Sequence, residues 1–236
     1  MVWERVSVDR KSGLTLHGGP ALNTISAWLE SGGRVEDALE VQGIGPADLV
    51  AVLLHLAVGA GDPLASPPLI QSGPTRPWLL SSLSESSWKV LLPSTPRPLR
   101  LSLLAGLLQI HDFWEESHGA AQQADDLGEK SFAPYWHGIA HRREPDPWNA
   151  GYWFRRVGVH PLLAELNTLA QTQFEPLELK TLPPQLLQGG RWDPHAFVDY
   201  CTKAQRRPTE ERLARSLQRL ELITLLNQTA LAAGLN

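Results

Sequence analysis

The sequence predicts an all-α protein, with a small N-terminal helical domain and a larger domain of helical hairpins. Three observations predict it. Apolar residues recur at helical spacing in segment after segment. Nineteen prolines cut the chain into many short elements with sharp ends. No stretch of clean apolar–polar alternation marks a β-strand. A chain of 236 residues with 42% hydrophobic and 19% charged residues can bury a substantial core.

Charge and cysteine content narrow the function classes. The formal net charge is −4, which disfavours a nucleic-acid partner. Cys201 is the only cysteine, so neither an intrachain disulfide nor a thiolate metal cluster forms. The N-terminal string MVWERVSVDRKSG has no apolar run behind its basic residues and does not read as a signal peptide. The longest apolar stretch, Leu49–Ala60, contains His55 and is too short to span a bilayer. A cytoplasmic protein without a membrane partner is expected.

Residues 1–60 read as the small helical domain. Asn23 is expected to cap a helix running to about Ser31, which Gly32 and Gly33 stop. Val35–Val41 reads as a second helix, broken at Gly45-Pro46, and Pro46–Ala60 as a third. The string ISAWLESGGRVEDALEVQGIGPADLVAVLLHLA resembles a small bacterial helical domain of unknown function often found with toxin–antitoxin systems. Gly18-Gly19-Pro20 stands where that family has a Gly-Thr-Arg turn. The resemblance implies an antitoxin-like, DNA-binding regulator. The acidic residues Glu30, Glu36, Asp37, Glu40 and Asp48 argue against that role.

Residues 61–98 read as a Pro-rich linker packing over the surface, with a short helix around Trp78–Val90. Residues 99–236 form the larger domain. Helices are expected over Arg100–Gln109, Asp112–Ala124, Ala133–Arg143, Trp148–Val157 and Leu162–Gln171. A connector over residues 174–191 follows. Asp193-Pro194 starts a helix over His195–Lys203, and Thr209 is expected to cap a last helix reaching Gly234. Ala105 and Gly138 are 33 residues apart, as are Ser117 and Ala150, and all are small enough to sit where helices cross. With Phe154, this spacing resembles tetratricopeptide helical hairpins, and a pair of such hairpins is expected.

Six of the eight histidines lie between residues 111 and 195, five of them within HDFWEESH and YWHGIAHRREPDPWNAGYWFRRVGVHP. The second string, with GGRWDPHAFVDYC further on, resembles a group of uncharacterised bacterial and fungal proteins. That resemblance implies a common fold and no particular chemistry.

Two sites are conceivable in this stretch. Glu115 and His118 are spaced i, i+3, and His137 and His141 i, i+4, so each pair shares a helix face. On an antiparallel hairpin the four donors would meet and suit zinc, iron or manganese. A neutral, buried, hydrogen-bonded histidine would meet the same spacing without metal. The second site is a pocket for a small anion, walled by Trp136, His137, His141, Arg142, Trp153, Arg155, Arg156 and His160. Ion pairing with Glu144, Asp146 and Glu165 competes with it. No nucleophile motif or phosphate loop is complete. The residues therefore support a helical binding or interaction protein, for a small anionic molecule or a protein partner. A metal-dependent hydrolase or oxygenase using Glu115, His118, His137 and His141 is the alternative.

Overall fold

The computed structural model describes residues 1–9, 13–59 and 66–235. The fold is all-α apart from one antiparallel hairpin. Its strands are β1 (Val6–Asp9) and β2 (Gly13–Leu16), with Val6 opposite Leu16. Strands of four residues are too short to carry a period-two signature, so the sequence gives no warning of them.

Three helices follow: α1 (Leu22–Glu30), α2 (Ala38–Gln42) and α3 (Pro46–Val58). Asn23 does not cap α1; the helix begins one residue earlier, after Ala21. Pro46 opens α3, as its fixed φ favours. Leu49–His55 of α3 are all buried. Ala60, the expected end of this helix, and residues 61–65 of the expected linker lie outside the described residues.

The described part of the Pro-rich stretch is not a surface strap. It forms a 3-10 helix over Pro77–Leu83 and then α4 (Glu85–Leu91). Ser84 separates the two by capping α4, its hydroxyl accepting from the Ser87 N–H. Leu79 and Trp88 are fully buried, and the Trp88 indole donates to the Ser82 carbonyl at 3.0 Å. Proline fixed the bends here without excluding apolar side chains from the core.

The remaining helices are α5 (Arg97–Ile110), α6 (Trp114–Asp126), α7 (Ala133–Arg143), α8 (Pro147–Val157), α9 (Pro161–Gln173), α10 (Pro176–Leu179), α11 (Pro194–Ala204) and α12 (Pro208–Ala232). Asp193 caps α11 as its type predicts, accepting from the His195 and Ala196 N–H groups. Thr209 does not cap α12. Pro208 takes the first helical position, and Arg207 precedes it without a side-chain cap bond.

From α5 to α8 each helix packs along the next. The Trp114 indole at the start of α6 donates to the Ala140 carbonyl near the end of α7, and Arg156 and Asp125 join the ends of α8 and α6. Neighbours in this series therefore run antiparallel. Small residues sit at the crossings. The Ser117 hydroxyl donates to the Ala105 carbonyl at 2.8 Å. A Cβ on Gly138 would stand 2.7 Å from the Phe154 ring, and one on Gly106 would stand 2.6 Å from Trp136. Helix α12 lies against α3, α5, α9 and α11. One continuous apolar core joins Ile25 and Leu53 of the N-terminal helices to Leu103, Trp136 and Leu225. Among the described residues no single helix is long and apolar enough to cross a membrane.

Candidate metal centre

Helix α7 is buried along its whole length, yet it carries His137, His141, Arg142 and Arg143. Burying such groups is costly unless each is paired or neutral. The protein first clamps the helix at both ends. At its start, the Glu129 carboxylate accepts from the Ser131, Phe132 and Ala133 N–H groups. That meets the unpaired donors and the positive end of the helix dipole. At its end, Arg143 bonds the Asp112 carboxylate at 2.6 Å, the Gln109 carbonyl at 3.0 Å and the Pro68 carbonyl at 3.1 Å. Asp112 holds a left-handed φ of 68° in the turn between α5 and α6, and it also accepts from Ser72.

Successive helical residues point about 100° apart, which sorts the polar groups of α7 onto different faces. Arg142 turns to α11 and α12. It bonds the Glu221 carboxylate at 2.5 Å and lies over the Phe197 ring, with Tyr135 donating to the same carboxylate at 2.9 Å. Burial opposes the charge on Arg142, but Glu221 outweighs it and holds the guanidinium pKa above its ordinary value.

His137 and His141 turn instead to α6, where they meet His118. One ring nitrogen from each of the three lies within 4.8 Å of the others. Ring centroids are 4.3 Å apart for His118 and His137, and 5.0 Å for His141 with either neighbour. Nitrogens sharing one tetrahedral ion at about 2.05 Å stand roughly 3.4 Å apart, so the set would have to draw together by about 1.4 Å at most to hold one. His137 is buried, and its Nδ1 has no hydrogen-bond partner among the described residues. Its pKa is pushed down to about 3, by burial first and then by His118 and His141. Burial, with His141, also lowers that of His118, while Glu144 works the other way. Those two imidazoles therefore stay neutral at pH 7, the state a metal needs.

Aromatic rings and carboxylates frame the cluster. Trp153 stacks on His137 at 3.7 Å, and Trp114 on His118 at 5.1 Å. Glu144 Oε2 is 2.7 Å from His141 Nδ1. A second group of close donors is His141, Glu144 and Asp146. There Asp146 caps α8, its oxygens accepting from the backbone and side-chain nitrogens of Asn149.

The other expected site residues have different places. Glu115 is exposed and does not join the three imidazoles. An i, i+3 pair diverges by about 60° around the helix, enough to leave one member in solvent when the other faces a neighbour. The arginines expected to wall an anion pocket do not converge. Arg142 pairs with Glu221, Arg156 with Asp125 beside Trp153, and Arg155 is exposed. Trp136 is a fully buried core residue whose indole donates to Thr229. His160 caps α9 through Nδ1, which accepts from the Leu162 N–H. Sequence reasoning missed Trp114 and Glu144 as neighbours of the cluster. The His-x-x-Glu spacing of His141 and Glu144 was the available signal. Comparison with protein-family models, with curated proteins and with solved structures finds no match to this chain.

Proposed function

We propose that the protein binds one divalent transition-metal ion through His118, His137 and His141, and that it is a metal-dependent enzyme of hydrolytic type. The observation that carries the reading is the convergence of three imidazoles on two neighbouring helices, one with a buried ring nitrogen that bonds to nothing. Three nitrogen donors suit zinc, copper, nickel or iron(II) better than manganese, which prefers oxygen. Three protein ligands also leave a coordination position for water, whose pKa a bound zinc lowers to about 7. The Glu144 carboxylate acts on His118 electrostatically and favours a cation there, whereas at His137 the pull of Asp125 is opposed by its ion-pair partner Arg156.

An anion-binding role has less support, because Arg142, Arg143 and Arg156 each already hold a carboxylate. Binding of a protein partner keeps one specific observation. Trp148 and Tyr152, one turn apart on α8, are 74% and 41% exposed.

Zinc titration of chelator-treated protein tests the metal reading. The expected result is one equivalent bound and a rise in melting temperature, with His118→Ala abolishing both at the same concentrations. Zinc at 100 times its Kd stabilises by about 2.7 kcal/mol. Wild-type protein that binds no zinc, cobalt or copper, and melts identically with and without them, would remove the proposal.

A further inference from the structure

An imidazole that binds a metal through one nitrogen must dispose of the proton on the other. In His141 a carboxylate stands where it can receive that proton's hydrogen bond. Nδ1 lies 2.7 Å from the Glu144 carboxylate, and an ionised carboxylate only accepts. Nδ1 therefore donates, and Nε2 is the nitrogen with the free lone pair. Asp146, close by, caps α8, its oxygens accepting from the backbone and side-chain nitrogens of Asn149. Glu144 is itself held in place. It is the first residue after α7, and its N–H donates to the Ala140 carbonyl, which also receives the Trp114 indole.

We infer that Glu144 is a positioning residue of the metal centre. It fixes the tautomer and ring angle of His141 so that Nε2 keeps its lone pair on a ring whose centroid lies 5.0 Å from those of His118 and His137, and its charge makes that nitrogen a stronger donor. This inference rests on the metal reading above. A carboxylate behind a ligating imidazole sets metal affinity by about 10- to 100-fold in comparable arrangements. Glu144 is 36% exposed, so its side chain contributes little to the core and affinity is separable from folding.

The test is cobalt(II) titration of the full chain, followed by its visible absorption bands, on wild type, Glu144→Ala and Glu144→Gln. The alanine variant is expected to bind at least 10-fold more weakly, with altered bands, while metal-free melting is unchanged. The glutamine variant retains an oxygen that accepts from Nδ1 and is expected to recover part of the loss. Should alanine prove unstable, glutamine against wild type decides alone. Affinity and bands unchanged in both variants would overturn the role of Glu144 while leaving the metal site standing. Wild-type protein without cobalt binding would sink the metal reading and this inference together.

Discussion

Helix α7 buries charge on one face and imidazoles on another, and the protein treats the two differently. On the α12 side, Arg142 meets Glu221, Tyr135 shares the carboxylate, and Phe197 covers the guanidinium. Positive and negative charge cancel within the fold. On the α6 side, three basic rings face one another, and His137 Nδ1 bonds to nothing. The first arrangement is charge-paired within the fold, although Arg142 Nε and Nη1 have no hydrogen-bond partner among the described residues. The second is a set of donors with the same chemical need, which a bound cation would supply. The lesson is to ask of a buried polar group whether its partner is already inside the protein.

The largest effect should come from breaking the charge-paired side. Glu221→Gln leaves the Arg142 charge buried and unpaired, at a cost of about 3–5 kcal/mol in urea denaturation. Replacing both residues, as Arg142→Met with Glu221→Met, should recover most of that loss. Zinc binding should survive in the double variant. Zinc lost along with the ion pair would show that the two faces are one unit.

Acid should weaken the imidazole side next. His137 and the buried His111 have pKa values near 3 in the fold, lowered chiefly by burial. In the unfolded chain they titrate near 6.5. Below about pH 6.5 the unfolded state takes up protons that the folded state refuses, so stability falls as pH falls toward 3. From pH 7 to pH 5 each contributes a loss of about 2 kcal/mol in metal-free protein. His111→Gln should flatten that acid slope without altering zinc affinity. An unchanged slope would contradict the neutral burial of His111.

The smallest expected effect sharpens the boundary of the cluster. Glu115→Gln should leave zinc affinity unchanged, because the side chain stands in solvent. A tenfold loss would bring Glu115 back as a ligand and demand a different rotation of α6.

The parts of this picture that were legible in the sequence are the local ones. Ala133–Arg143 was bounded by its own residues, and His137 and His141 had to share a face at i, i+4. Asp193-Pro194 marked the start of α11 for the same kind of reason. What could not be read depended on distant chain. Nothing near Arg142 names Glu221, which lies 79 residues away, as its partner. Trp136 looked like a pocket wall and is core, because the space against Gly106 that receives it belongs to another helix. Trp88 looked like part of a surface linker, since prolines mark bends and say nothing of depth. Glu115 and His118 parted company because a face shared at i, i+3 is only approximate.

The double clamp on α7 has a mechanical consequence. Glu129 pins one end of this helix and Arg143 the other, so His137 and His141 sit on a fixed anvil. His118 is the half-exposed member of the set and belongs to a different helix. An arriving ion would meet two rings carried by a helix braced at both ends and a third carried by its neighbour. Capture would then call on side-chain torsions rather than on movement of α7.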